Sequence, residues 1–183
     1  MAYNVPSYTH SRFSFGPGIL YLGSERTTPL GDLGAVKGSA ELSIERTRLE
    51  IWQGSPQSKI KQYAIKEEVI LKVTGIEWNF DNFNAALGAG VTGASNPEET
   101  FEFGGDMDVA DKAVRFLHRT PDGGTIDIHL FKAEGAGKIA ITFNEADTHE
   151  FPYEFHAVEA TTGFDEAALA AQKKLFKVIR TAA

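Results

Sequence analysis

The chain has no cysteine, no long apolar run and fewer cations than anions, and each shortage removes a class of function. The lack of cysteine excludes disulfides and thiolate metal sites. No stretch of about 18 apolar residues and no basic-plus-apolar leader is present, so we expect a soluble protein with no membrane partner, made in the cytoplasm. A net charge of −7 argues against a general nucleic-acid binder, because such a protein must neutralise phosphates. The remaining composition, with 42% hydrophobic residues, is that of an ordinary globular domain.

Residues 67–88 change their hydrophobic period once, from that of a strand to that of a helix. Alternating apolar residues predict a half-buried strand that ends near Thr74. Beyond it, apolar residues at i, i+3 and i+7 predict a short helix, with Asn79 or Asp81 as its capping oxygen and Gly88 at its end. A helix this short is marginal alone, so its apolar stripe must pack on a sheet. The stripe consists of Phe80, Phe83 and Leu87.

The longest alternating segments predict a long β-hairpin. Residues 35–52 and 59–74 alternate with period two, and the polar loop 53–58 joins them. In the first segment the apolar phase slips by one residue, which predicts a bulge or bend near Arg46 and Thr47.

A second hairpin is predicted over residues 112–132. Its loop, Thr-Pro-Asp-Gly-Gly at 120–124, suits a three-residue turn with a bulge, because Pro121 fixes φ and Gly123 accepts a left-handed backbone. This register puts an apolar set on one face and a more polar set on the face expected to meet water. The first set is Val114, Phe116, His118, Ile126, Ile128 and Leu130; the second is Arg115, Leu117, Arg119, Asp127, His129 and Phe131.

Shorter segments complete a mainly β, antiparallel sandwich or barrel in one domain, residues 1–183. Residues 1–34 read as an extended arm, 35–160 as the β core with the helix at 79–88, and 161–183 as a C-terminal helix, strand or both. Further strands are predicted over 18–22, 98–103, 139–143 and 150–158, a loop over 89–97, and a helix over 165–173. Residues 174–180 either extend that helix or form a last strand, and we favour the strand.

No catalytic constellation is recognisable. His118 and His129 fall on opposite faces of their hairpin and cannot share a metal ion. Adjacent acids point to opposite sides of a strand, and no serine lies in a nucleophile-elbow motif. We therefore expect no enzymatic activity, no metal and no cofactor. Trp52 and Trp78 could stack on sugars, although isolated tryptophans more often serve a core or an interface.

Four segments, in order along the chain, resemble the tail tube proteins of tailed bacteriophages. They are FGPGILY at 15–21, GAVKG at 34–38, EWNFDNF to ALG at 77–88, and KLFKVI at 174–179. The resemblance implies a β-sandwich subunit of the virion tail, assembled in the host bacterial cytoplasm. Subunits would close into hexameric rings whose hairpins pair into a pore-lining barrel, and the rings would stack into a tube that genomic DNA crosses. It further implies sheath, baseplate or tail terminator proteins as partners; tailocin and type VI secretion tubes are related and remain alternatives.

The pattern of residues agrees with assembly in two respects. Long hairpins with polar faces leave edges that neighbouring subunits can pair, and an acidic wall would keep a passing polyanion from sticking. The pore-facing candidates are Glu41, Ser43, Glu45, Glu68, Arg115, Arg119 and Asp127, whose two arginines we expect to pair with carboxylates across strands. The candidates for contacts between stacked rings are Gln53, Gly54, Ser55, Pro56, Gln57 and Ser58.

A second hypothesis comes from a different class. A monomeric β-sandwich could bind carbohydrate or another ligand, with Trp52 or Trp78 as a platform. It predicts a monomer at every concentration, whereas the tube hypothesis predicts assembly. An enzyme is a distant third.

Overall fold

The computed structural model describes residues 18–23, 31–38, 40–95, 97–105, 107–141, 143, 145, 147–160 and 175–182. Within these ranges the chain forms ten strands and one helix. In chain order the elements are β1 (Gly18–Gly23), β2 (Gly31–Asp32), β3 (Glu41–Gln53), β4 (Ser58–Gly75), α1 (Phe80–Leu87), β5 (Val91–Ser95), β6 (Glu98–Glu102), β7 (Lys112–Arg119), β8 (Thr125–Gly135), β9 (Phe151–Ala157) and β10 (Phe176–Thr181).

Eight of the strands form one antiparallel sheet. Their spatial order is β2, β1, β7, β8, β9, β4, β3, and β10 pairs with β8. β5 and β6 form a separate antiparallel pair. The described strands do not close into a barrel. The predicted class is confirmed, since the protein is mainly β and antiparallel with a single short helix in the described ranges, and the arrangement is consistent with a β-sandwich.

The hydrophobic core lies on one face of the large sheet, under α1. Side chains that alternate along five strands point into it, so the period-two pattern becomes one continuous apolar layer. Its most buried members on the strands are Leu20, Val69, Leu71, Val73, Val114, Leu130, Ala133, Phe151, Tyr153 and Phe155. Burial raises the pKa of Tyr153 to about 12, because the surrounding apolar layer disfavours the phenolate.

The helix closes over this layer as predicted. The Asn79 side chain accepts hydrogen bonds from the backbone N–H groups of Asp81 (2.9 Å) and Asn82 (3.4 Å), and Gly88 ends the helix with φ at +73°. Phe83 is buried and its ring lies 5.3 Å from that of Phe151 on β9. The Asn82 side chain donates to the carbonyl oxygen of Leu33 at 2.7 Å, which fastens the helix to the chain before β3.

The two predicted hairpins are present. β3 and β4 form the long one, and β7 and β8 form the second with the expected turn. Thr120 donates its N–H to the Gly124 carbonyl oxygen at 2.9 Å, and Gly123, with φ at +87°, donates to that of Thr120 at 3.0 Å. The strands predicted near the ends of the chain are confirmed as β1, β9 and β10.

One prediction about the second hairpin is wrong. Its two faces are composed as expected, but the polar face does not meet water along its whole length. Asp127, His129 and Phe131 are 9%, 6% and 0% exposed, respectively. β8 is an interior strand with β7 on one side and β10 on the other, so its side chains are enclosed by neighbours. Alternation predicts which residues share a face, but it does not predict whether other parts of the protein cover that face.

Two local predictions also fail. The small-residue loop expected over 89–97 contains β5, which pairs with β6 although its residues are exposed, because a backbone ladder needs no bulky side chains. The strand expected over 139–143 is not formed in the described part of that segment: Ile139 and Ile141 pack partly against the core without joining a ladder. The helix predicted over 165–173, and most of the arm over 1–34, lie outside the described residues.

Candidate functional site

The strand register brings the seven pore-face candidates to one side of the large sheet, the side away from the core. On β3 and β4, Glu41 stands opposite Lys72, Ser43 opposite Ile70, and Glu45 opposite Glu68. These pairs alternate with the core-side pairs Leu42 with Leu71 and Ile44 with Val69. On the second hairpin, Arg115 lies between the buried Val114 and Phe116, while Arg119 and Asp127 share the alternation of Arg115.

Arg115, Asp127 and His129 form a compact polar cluster on this face. The Arg115 guanidinium donates from Nε (2.9 Å) and Nη2 (2.7 Å) to the two carboxylate oxygens of Asp127, a bidentate pair. His129 Nε2 lies 2.7 Å from Asp127 Oδ1, and the guanidinium lies 5.8 Å from the centre of the Tyr21 ring. The expected pairing of an arginine with a carboxylate across strands is confirmed for Arg115.

The cluster sets the charge of Asp127. Burial on its own would raise the pKa of this carboxyl, but hydrogen bonds from Arg115 and His129 outweigh it, and the pKa lies below its ordinary value. Asp127 is therefore a buried anion held by a cation. An arginine paired in this way adds little uncompensated positive charge to the face.

A second chain of charges crosses β4 and β9 on the same face. Lys66 Nζ lies 2.6 Å from Glu68, whose other oxygen lies 3.9 Å from His156 Nδ1. His156 Nε2 lies 3.0 Å from Glu154, which lies 3.8 Å from Lys72. The hydrogen bond from Lys66 is the main cause that lowers the pKa of Glu68. Two lysines and two carboxylates surround His156 here, so this part of the face is strongly charged but balanced.

Sequence reasoning missed three members of this face: Lys72, Glu154 and His156. The alternation within β9 puts Glu154 and His156 on the side away from the core, and the sequence did contain this signal. The local pattern does not show which strand lies beside β9, because its pairing with β4 joins residues about eighty positions apart.

The long hairpin extends past the core. We call residues 48–64 the distal arm, which begins where the register shifts between Thr47 and Arg48. Seven of the fourteen exposed large hydrophobic side chains in the described residues belong to this hairpin. Five of them are on the distal arm and two lie just before it or at its base: Leu49, Ile51, Trp52, Ile60, Tyr63, Ile44 and Ile65.

The apolar side of the hairpin changes at the start of the distal arm. Thr47 pairs with Lys66 and Arg48 with Ala64, so Ile65 is the extra residue of a bulge in β4. The bulge lies where the phase slip predicted it, although the extra residue is on the partner strand. Because β3 runs on without an insertion, Leu49 and Ile51 lie on the side of β3 that carries Glu41, Ser43 and Glu45 nearer the core. The apolar stripe thus moves to the opposite side of the hairpin.

The six candidates for contacts between rings form the tip of the distal arm. All are exposed, and Ser58 Oγ donates to the Gln53 carbonyl oxygen at 3.3 Å. Gly54 has φ at +103°, a backbone conformation that favours glycine. The prediction of a polar turn at 53–58 is confirmed, and its role stays a prediction.

The two tryptophans have different surroundings. Trp52 is half-exposed on the distal arm, with Lys59 Nζ 5.8 Å from its ring centre. Trp78 is also half-exposed, but its ring is 4.9 Å from that of Phe151 and so continues the aromatic core. It forms one wall of an open cleft of about 400 Å³ that Asp81 and Glu99 also line.

No family model matches the chain, and no curated protein matches it. Within the described ranges, no three histidine, aspartate or glutamate side chains converge on a point that could hold a metal ion. The single helix there is too short to cross a bilayer. The class that the fold defines is thus a mainly antiparallel β protein with a charged sheet face and a protruding apolar hairpin.

Proposed function

We propose that this chain is a self-assembling structural protein, the subunit of a phage-type tail tube. Copies close into rings, six to a ring, and the rings stack into a tube that conducts DNA within a virion tail. No step of chemistry is involved. Its partners are further copies of itself, together with the sheath, baseplate or terminator proteins that complete such a tail.

The observation that carries this proposal is the distal arm. An isolated two-stranded hairpin is at best marginally stable in water, and this one presents Leu49, Ile60 and Tyr63 to solvent at 51%, 57% and 47% exposure. Monomeric proteins rarely display such a contiguous apolar surface, which ordinarily marks an interface. A subunit whose arm is covered by its neighbours satisfies both points.

The edge of the sheet supports the same proposal. β3, at the end of the spatial order, is 13 residues long and has β4 on one side; no described strand occupies the other. A long unprotected edge is a template for pairing with another chain, and pairing around a ring removes such edges. β3 bears no proline and no register insertion that would break such a ladder.

The charged face supplies a wall suited to a DNA conduit. Three of the seven candidates, Glu41, Glu45 and Glu68, are carboxylates that reach solvent, while the fourth carboxylate, Asp127, is buried and paired with Arg115. Fixed negative charge repels phosphates by the same Coulomb force that DNA-binding proteins use with opposite sign. Balanced pairs such as Lys66 with Glu68 present little net attraction to a passing polyanion.

The proposal is tested by the mass of the purified protein in solution. We expect multi-angle light scattering to give a mass that grows with concentration, and negative-stain images to show rings or tubes with an open centre. A particle of 19.9 kDa at every concentration and salt level, without rings, would overturn the proposal.

A carbohydrate-binding module is the second candidate, and the cleft beside Trp78 is the observation in its favour. The exposed part of the indole and the nearby carboxylates of Asp81 and Glu99 are groups that can hold a sugar. Titration with a panel of glycans should then change tryptophan fluorescence in the wild type and not in Trp78→Phe. No change with any glycan would reject this candidate.

A further inference from the structure

Charge is divided unevenly between two regions of this chain. Residues 77–111 contain eight carboxylates and no lysine, arginine or histidine: Glu77, Asp81, Glu98, Glu99, Glu102, Asp106, Asp108 and Asp111. The distal arm, residues 48–64, has the opposite bias, with Arg48, Lys59 and Lys61 against the single acid Glu50. The distal arm thus has a local excess of positive charge in a protein whose net charge is −7.

The acidic region presents a flat outer surface, which we call the acidic face, on β5 and β6. Val91 stands opposite Glu102 and Ser95 opposite Glu98, and these pairs point away from Phe101, which packs on the helix. Val91 is 68% exposed and Glu98 and Glu102 are exposed as well. Ion pairs among the described residues involve neither glutamate. The loop that follows adds further exposed apolar side chains: Phe103, Met107 and Val109.

The distal arm presents a matching surface. Leu49 stands opposite Tyr63 and Ile51 opposite Lys61, which gives three apolar side chains on one side of the arm. Lys61 Nζ lies 4.8 Å from the centre of the Tyr63 ring, so its charge sits on the edge of this apolar side. Apolar groups bordered by Lys61 therefore face outward on the arm, and apolar groups bordered by carboxylates face outward on β5 and β6. Lys59 lies on the other side of the arm, where it pairs with Glu50.

We propose that the distal arm of one copy docks on the acidic face of a second copy. The inference rests on the proposed function and names the surface that receives the arm. The docking side of the arm, Val91 and the loop after β6 carry seven of the fourteen exposed large hydrophobic side chains in the described residues: Leu49, Ile51, Tyr63, Val91, Phe103, Met107 and Val109. The occupant is another copy of this chain because opposite charges border the two apolar surfaces.

Two different surfaces meet in this contact, which has a geometric consequence. A contact of this kind is heterologous, so each copy both offers an arm and receives one, and the contact propagates instead of ending at a dimer. Rings or a stacked tube follow from repetition of the one contact.

The test is an exchange of charge between the two surfaces. The arm variant carries Lys61→Glu, and the face variant carries Glu98→Lys and Glu102→Lys. Each variant alone meets like charge at every contact, and we expect its assembly to require a concentration roughly tenfold higher or more, measured by sedimentation velocity at low salt. An equimolar mixture of the two should assemble at the wild-type concentration, because every contact then joins opposite charges.

The outcomes separate this inference from the proposed function. Wild-type assembly together with unaltered assembly of each variant, or failure of the mixture to recover, overturns the docking contact and leaves the tube proposal intact. A wild type that never assembles overturns both. A control variant, Lys138→Glu, changes net charge as much as the arm variant does, at an exposed position outside both surfaces. If the control weakens assembly as much as the arm variant, overall charge and not docking governs assembly, and the inference fails.

Discussion

The two halves of the β3–β4 hairpin have similar apolar alternation and opposite burial. Nearer the core, Val69 and Leu71 are 2% and 1% exposed, because they belong to the apolar core cluster that includes side chains of α1 and β9. In the distal arm, Leu49 and Ile60 are 51% and 57% exposed. The same strands therefore satisfy two different partners. One partner lies within the described subunit, and we expect the other to come from outside it.

The comparison shows that a period-two pattern predicts which residues share a face of a strand, but not what packs against that face. At Ile65 the hairpin acquires a bulge and its apolar side changes, and from there on no part of the described subunit lies against it. Burial of apolar surface stabilises by about 25 cal/mol per Å² wherever the partner comes from. In the proximal half this free energy stabilises the fold, and in the distal half we expect it to stabilise association.

The largest expected difference between the core of the subunit and the distal arm is in the effect of truncating an aromatic side chain. Phe83→Ala should lower the free energy of unfolding by about 3–5 kcal/mol, because the ring is buried against Phe151 and the cavity cannot collapse. Tyr63→Ala, a truncation of similar size on the distal arm, should change it by no more than about 0.5 kcal/mol. Urea unfolding of the dissociated subunit measures both. Equal losses would show that the arm is packed within its own subunit.

The next difference concerns ion pairs. Arg115→Met leaves the buried Asp127 without its guanidinium, and should cost about 1–3 kcal/mol, less than for a fully enclosed pair because Arg115 is partly in water. Arg48→Met on the distal arm removes only a long hydrogen bond to Gln62 (3.4 Å) at an exposed site. Its unfolding midpoint should stay at the wild-type value. An equal loss of stability in both variants would contradict the view that only the part of the subunit outside the distal arm encloses its charged groups.

Acid should produce a smaller difference in stability between variants of the polar cluster at Asp127 and variants of the distal arm. The folded-state pKa of Asp127 lies below its unfolded value, so the carboxylate stabilises the fold above about pH 4 and this contribution disappears as pH falls through the lower folded-state pKa. Asp127→Asn should thus lose less stability than the wild type in the same acid range. Glu50→Gln, on the distal arm, is the control: Lys59 lowers the pKa of Glu50 at the surface, where solvent screens the pair. Parallel curves of stability against pH for wild type and Asp127→Asn would show that ionisation of Asp127 does not stabilise the fold.

Much of the fold follows from local signals in the sequence. The period change at 67–88, the cap at Asn79, the turn at Gly123 and the phase slip near Thr47 are each encoded within a few residues, and all four are present. Such signals act through neighbours along the chain, where geometry is fixed by covalent connection.

The features that could not be predicted depend on distant residues. The burial of Asp127 depends on β10 lying beside β8, and the charge chain through His156 depends on β9 pairing with β4. β5 forms despite a poor local pattern because β6 supplies the hydrogen bonds that Val91 to Ser95 require. Pairing across the sheet is a property of the whole chain, and an alternating segment contains no record of it.

The smallest expected effect on the subunit is at the tip of the arm. Replacing Gln53 to Ser58 by the two-residue turn Asn-Gly shortens the arm without touching the core, so the unfolding free energy should change by less than about 0.5 kcal/mol. Assembly should nevertheless be impaired, because the tip is where we propose that stacked rings meet. Calorimetry of the subunit and electron microscopy of the assembled state measure the two effects separately. Tubes of normal length from this variant would show that contacts between rings are made elsewhere, whereas a destabilised subunit would show that the arm is an integral part of the fold.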